Sequence, residues 1–498
     1  MPEAMRETGI PSLSWQGKVQ SGSSRVLLVL GIGSAFDLAF NGQSPGVSFP
    51  LFIAIVAAAL WNYVDDVRGK VLLGLATFFS IFPALRDAGS VLALDTLATF
   101  GLLATAVAYE HADLLRASLR GFVLAALGLL AGIWRTPAFV VSPLVAMGRG
   151  IHSSRVRSAM RAVLVAGPVV LLFAVLLASA DKVFANLITP SLPKWDFSPA
   201  AEHLTLIVFG AFLFATLLIS TMIRGRVESL PSASDRIRLG SLQWMTVMVG
   251  VGALFAIFVV VQFVFLFGGR HRVLVTPGLT YAEYARSGFF QLIAVAVLTV
   301  LLIVAMWDFG ERDNPRATRL FQRLSTGLLA LAFVIVVSAF MRLRLYESTF
   351  GVTVARFFGY VAICWIGLMF VALGLAVWRA WRARLLTVAI ATALVLLIGV
   401  NVVNPERFVA QRNIDRWEAT GKIDVAYLGY MLGPDAVPAV TGLVPRLDRE
   451  MASELRLALC ERLDLMGEEP GWRSAHLARA DARRALTEAG ITRATCPR

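Results

Sequence analysis

Long apolar runs recur along this chain, each closed off by a short polar segment. The first four lie near residues 26–40, 47–64, 70–85 and 88–108, and seven more near 162–180, 203–223, 242–268, 287–307, 323–341, 357–377 and 385–403. Each approaches the about 20 residues that cross a bilayer core at the α-helical rise. Between the two groups, Gly121–Ile133 and Ala138–Met147 flank Trp134-Arg135-Thr136-Pro137. That pattern predicts a hairpin that either crosses twice or dips in and returns, its Pro and Arg covered by protein or water. The expected fold is all-α: a polytopic transmembrane helix bundle with about 11 long spans plus the 121–147 hairpin. A β-barrel would need roughly ten-residue alternating strands, and these runs are continuous.

The two ends of the chain differ from its middle. Residues 1–23 are polar and predict a disordered N-terminal tail. No small-residue cleavage pattern follows the first run, which therefore reads as an anchor. The bundle is expected over residues 24–403. From Asn404 onward, fourteen basic residues balance fourteen acidic ones. Asn404-Pro405-Glu406 has the chemistry of a helix start, and Gly421 can close that helix. Leu447–Met466 and Ser474–Ala489 show helical spacing, the second closed by Gly490. The segment 404–498 thus predicts a small helical C-terminal domain.

Composition agrees with this reading. The 498 residues are 57% hydrophobic and 16% charged, and mean hydropathy is +0.71; soluble chains carry about 25% charge. The net charge of +13 lies in the loops and not in the tail, so it speaks for membrane orientation and against nucleic acid. Gly148–Arg161, Arg224–Gly240, Gly310–Arg323 and Trp378–Arg384 are arginine-rich. By the positive-inside rule they face the cytoplasm, with the N-terminus on the same side and the tail extracytoplasmic. The histidines are scattered and no CxxC occurs, so no metal and no cofactor is expected. A Cys460–Cys496 disulfide is possible if the tail lies outside the cytoplasm.

Candidate chemistry sits in the outer loops, where positive-inside sorting should deplete arginine. Arg86-Asp87 joins the third and fourth long runs. Thr280–Ser287 carries Tyr281, Tyr284 and Arg286. Ser338–Arg356, SAFMRLRLYESTFGVTVAR, joins two spans and carries Arg342, Arg344, Tyr346, Glu347 and Arg356. Arg342 and Tyr346 share a face if that segment is helical, and Arg344 can pair with Glu347. Arg and Tyr together suit an anionic ligand such as a phosphate or carboxylate; they also serve as ordinary interfacial anchors. Without a ligand, Glu347 or Asp87 should accept from these arginines. Asp37, Asp95 and Asp181 lie in or at the ends of spans, where partnering arginine or handling an ion are both open.

Several segments together resemble one bacterial membrane family. They are Ser338–Arg356, LLASADKVFANL at 176–187, TYAEYARSGFFQL at 280–292, NPERFVAQRNIDR at 404–416 and DVAYLGYMLGPDAVPAV at 424–440. The family is domain of unknown function four-one-seven-three, related to four-one-five-three. The resemblance spans roughly residues 170–445. It implies a multi-pass protein of the bacterial cytoplasmic (inner) membrane, with no assigned activity. Three functions compete: binding or transport of an anionic ligand or lipid headgroup at an outward-facing Arg/Tyr site, a non-catalytic scaffold or sensor whose C-terminal domain meets a protein partner, and a transferase acting on a lipid-linked substrate. Outer-loop carboxylates are few, which weighs against the enzyme.

Overall fold

The computed structural model describes residues 22–42, 46–108, 136, 198–222, 239–267, 289–312, 314–379, 381, 384–467 and 471–496. The expected 121–147 hairpin and the 162–180 span lie outside them, as do Asp181, Tyr281, Tyr284 and Arg286. In chain order the helices are α1 (Gly22–Phe40), α2 (Ser48–Trp61), α3 (Val67–Ser80), α4 (Phe82–Leu85), α5 (Gly89–Ala108), α6 (Ser198–Met222), α7 (Ser241–Phe267) and α8 (Phe289–Phe309). They continue with α9 (Pro315–Phe350), α10 (Val354–Arg379), α11 (Leu385–Val403), α12 (Pro405–Thr420), α13 (Val437–Thr441), α14 (Arg449–Leu465) and α15 (Leu477–Glu488). Among the described residues the only bridge is the isolated Leu239–Gly310 pair.

Eight described helices are long and apolar enough to cross a membrane, from Val67–Leu85 to Leu385–Val403, and two shorter apolar ones are Val26–Phe40 and Ser48–Trp61. The protein is therefore a multi-pass membrane protein. Its outer faces agree: Leu254 and Ile257 of α7 are 63% exposed and Val395 of α11 is 67% exposed, surface that lipid covers and water would not.

The chain forms two compact units, one of Met1–Phe78, Phe100–Ala112 and Val123–Val227, the other of Phe79–Thr99, Asp113–Phe122 and Glu228–Arg498. In the first, α1 packs along α6 with small residues at the crossing. A Cβ on Gly33 would stand 2.3 Å from the Ile207 carbonyl oxygen and 2.8 Å from the Ala211 Cβ, so the backbones nearly touch, as is usual where dispersion drives helix association in lipid. Phe36 of α1 meets Phe52 and Phe209, with ring centroids 5.4 and 5.7 Å away.

In the second unit, α7 to α10 share a core containing Trp244, Ile303, Ala332, Ala339 and Leu373. The tail helices share another, with Val409, Leu428, Leu455, Leu459 and Leu486. Val352, from the turn between α9 and α10, belongs to this second core and Phe357 packs against it. The expected tail helices are present. Asn404 caps α12 by accepting from the Arg407 N–H at 3.3 Å, and Gly421 and Gly490 close α12 and α15 with φ of 69° and 70°. Cys460 and Cys496 are disulfide-bonded, their Cα atoms 5.6 Å apart.

Two spans differ from expectation. The 70–85 run is broken at Ile81 into α3 and α4, because Pro83 at the start of α4 supplies no N–H to the preceding turn. The 323–341 run is only the middle of α9, a single helix of 36 residues. Asn314 starts it early by accepting from the Ala317 N–H at 2.7 Å. The Arg, Leu and Met residues after Ser338 then continue the helix until Gly351.

Candidate functional site

The first cluster is built by the end of α9 and the start of α10. At the α-helical rise α9 is about 54 Å long, against about 30 Å of hydrocarbon. Its last turns therefore carry Arg342, Arg344, Tyr346 and Glu347 past the apolar stretch as part of the helix, the alternative that puts Arg342 and Tyr346 on one face. Arg342 is half-buried and Arg344 is exposed. The Arg356 guanidinium lies 4.0 Å from the Tyr346 ring centre and donates to the Gly351 carbonyl. Glu347 does not pair with Arg344; it accepts from the Tyr360 hydroxyl of α10.

The turn itself is held from α12. Asn413 accepts from the Val352 N–H at 3.1 Å and donates to the Val352 carbonyl at 2.8 Å. Arg416 donates to the Thr349 carbonyl at 2.8 Å, and the Tyr427 hydroxyl accepts from the Val354 N–H at 3.0 Å. Gly351 sits at φ 79°, ψ −174°, a region almost closed to other residues. The carboxylates nearby on α12 are engaged: Asp415 with Gln411 at 3.1 Å and Glu418 with Arg446 at 2.5 Å. Arg412 lies over Phe408 instead, 5.7 Å from its centre.

The second cluster joins Arg86-Asp87, just before α5, to the tail. The Arg86 Nε donates to the Asn401 carbonyl at 3.0 Å, and its Nη1 lies 3.5 Å from Asp435 Oδ1. The Asp87 N–H donates to Asp435 Oδ2 at 2.7 Å, and Asn404 Nδ2 donates to Oδ1 at 2.8 Å. Arg479 of α15 grips the Asp87 carboxylate through two nitrogens, and His476 Nε2 stands 3.9 Å from it. Glu406 of α12 accepts from the Gly433 N–H at 2.9 Å. Burial and the neighbouring Asp435 push the Glu406 carboxyl up to about 7. Burial also raises Asp435 and lowers His476.

Of the residues singled out from sequence, Arg342, Arg344, Tyr346, Glu347 and Arg356 share one corner, while Arg86 belongs to the second cluster. Asp87 accepts from Arg479 and not from the cluster at the α9 end. Asp95 of α5 accepts from Asn401 Nδ2 of α11 at 2.8 Å. In the other unit, Asp37 meets His203 Nδ1 at 2.8 Å and Asn41 Nδ2 at 3.1 Å. Sequence reasoning missed Asn401, Glu406, Asp435, His476 and Arg479. Asn401 left a signal, as a lone amide inside an apolar run. Asp435 left a weaker one, inside the quoted segment LGPDAVPAV. His476 and Arg479 stand in an ordinary charged helix pattern and left none. Among the described residues no group of three or more His, Cys, Asp or Glu side chains could hold a metal ion.

Neither the curated proteins nor the solved structures contain a match to this chain. Residues 73–443 match the family described as Domain of unknown function (DUF4153), one of the two related families that the sequence resembles. That match covers most of the chain, both clusters included apart from His476 and Arg479, and the protein belongs to this family of unassigned activity.

Proposed function

We propose that this integral membrane protein binds an anionic ligand where α9 turns into α10, at Arg342, Arg344, Tyr346 and Arg356, with Glu347 locked to Tyr360 beside them. One observation carries the reading: among the described residues, Arg344, Arg356 and Arg412 have no carboxylate left for them. Glu347, Asp415 and Glu418 are each engaged elsewhere. Charge held at a membrane boundary without a carboxylate favours an anion, which a guanidinium fork and a tyrosine face both suit. The proposed site includes Tyr281, Tyr284 and Arg286, which lie outside the described residues, and Arg86, which Asn401 and Asp435 hold in the second cluster. We place the site on the extracytoplasmic side of a bacterial inner membrane, with the N-terminus cytoplasmic and residues 404–498 as an extracytoplasmic domain. The Cys460–Cys496 disulfide supports that sidedness, since such bonds persist in oxidising compartments.

A scaffold or sensor role is the second reading. It is favoured by Asn413, which clamps both backbone groups of Val352 and so ties α12 to the α9–α10 turn. Native mass spectrometry of the protein in nanodiscs of zwitterionic lipid separates the two. Binding predicts a retained anionic mass that is lost in Arg342→Ala and Arg344→Ala and poorly restored by Arg342→Lys, because one ammonium cannot replace a planar fork. A wild-type spectrum without any such mass leaves the scaffold.

A further inference from the structure

A different feature lies deeper, inside the spans. Asp95 of α5 is 0% exposed and Asn401 of α11 is 1% exposed. The amide Nδ2 donates to Asp95 Oδ1 at 2.8 Å and also to the Leu397 carbonyl at 3.0 Å. The two other oxygens of this pair, Asp95 Oδ2 and Asn401 Oδ1, are both buried and have no hydrogen-bond partner. Two unpaired acceptors on one acid–amide pair are costly in a dry interior, and an ionised carboxylate there costs still more. A single proton on Oδ2 removes the charge. It also turns one orphan into a donor, and the pair's other orphan, the amide oxygen, is an acceptor that needs one. Two oxygens are too few to strip the water from a metal cation, which takes about six or more.

We propose that Asp95 and Asn401 form a proton-binding site within the membrane, the proton residing on Asp95 Oδ2. The step is simple protonation: one O–H bond forms with a proton drawn from water, and nothing is oxidised or reduced. The surroundings fit. Among the described residues, Val91, one turn before Asp95, and Val400, next to Asn401, belong to an apolar cluster with Ala88, Phe357, Phe358 and Val361. Thr99 on the same helix spends its hydroxyl on the Asp95 backbone carbonyl at 2.8 Å.

Among the described residues, the charged groups bonded next to the pair lie toward the tail. Arg86 bonds the Asn401 carbonyl, and Asp435 and Asp87 follow it toward the tail. The bonded series Asp95, Asn401, Arg86, Asp435 therefore links the buried acid to the end of the bundle. This site does not rest on the anion reading, although Arg86 enters both.

The test is infrared difference spectroscopy of the full-length protein in liposomes at neutral pH. Wild type minus Asp95→Asn should show a carbonyl stretch of a protonated carboxylic acid; Glu406 and Asp435 cancel in that difference. Asp95→Asn should melt like wild type, because its amide presents a donor where the proton sat. Asn401→Ala should keep the band and move it to higher frequency as a hydrogen bond is lost, which decides the matter even if Asp95→Asn fails to fold. A difference spectrum with only carboxylate bands would overturn the proposal. So would a melting temperature that rises with sodium in wild type but not in Asp95→Asn, since a cation would then occupy the pair.

Discussion

Arg479 lays two nitrogens across the Asp87 carboxylate, Nε 2.7 Å from Oδ2 and Nη2 3.1 Å from Oδ1. The two residues are 392 positions apart, so this fork ties the tail to the loop ahead of α5. Both side chains are mostly buried, at 24% and 14% exposed. Removing one partner of a fully buried pair leaves the other charge unsatisfied and costs about 3–5 kcal/mol, and less where, as here, some exposure remains. Arg479→Ala should therefore lower the melting temperature and open the tail to limited proteolysis. The double change Arg479→Ala with Asp87→Ala should cost less than the two single changes added together. Simple additivity would mean that the contact carries no coupling.

Glu406 gives the stability a pH dependence of defined sign. Its carboxyl moves from the ordinary 4.5 up to about 7 in the folded chain, mainly through burial. Between those values the folded state holds a proton that the unfolded state has lost. The contribution is full below 4.5, declines as pH rises, and is gone above about 7. Raised Asp435 acts in the same direction, whereas lowered His476 makes stability rise with pH as that histidine loses its proton. Denaturation midpoints measured across this range should show Glu406→Gln flattening the decline. An unchanged slope would remove Glu406 as its source.

The α9–α10 turn should not accept a side chain at Gly351. A Cβ there would sit 2.4 Å from Asn413 Oδ1, on top of the about 1–3 kcal/mol that this backbone region costs other residues. Gly351→Ala should release the Asn413 clamp and destabilise the protein at least as much as Asn413→Ala does. Equal melting temperatures for Gly351→Ala and wild type would show that the turn can relax.

The disulfide closes a loop with a sequence separation of 36. By the chain-entropy relation this stabilises the folded tail by about 4 kcal/mol. Cys460→Ser should lower the melting temperature and abolish the effect of reductant. Reductant that leaves wild type unchanged would argue against a structural bond.

Sidedness can be read with an impermeant thiol reagent in intact expressing cells. With Cys460 and Cys496 bonded, a cysteine at exposed Ala419 should label at once. One at exposed Thr318, at the other end of α9, should label only after permeabilisation. The reverse pattern would invert the proposed orientation.

The spans from 241 to 403 and the tail helices were legible in the sequence because both signals are local. An apolar run of the right length has no soluble alternative. Asn404-Pro405 and Gly421 cap α12 whatever packs beside it. The length of α9 was readable only in part: Asn314-Pro315 is a start signal, but nothing in SAFMRLRLYESTF says whether polar residues continue a helix or leave it. Partner choice was not local at all. Arg344 and Glu347 have ideal spacing for a pair, yet Glu347 goes to Tyr360 because α10 brings a half-buried hydroxyl within reach while the exposed guanidinium is satisfied by water. Asp87 could equally have answered any outer-loop arginine, and only the docking of α15 selected Arg479. The sequence by itself determined where helices form and which residues are too polar for lipid. The tertiary structure decided which of those polar residues meet, because a burial cost is offset only by a partner that folding delivers from hundreds of residues away.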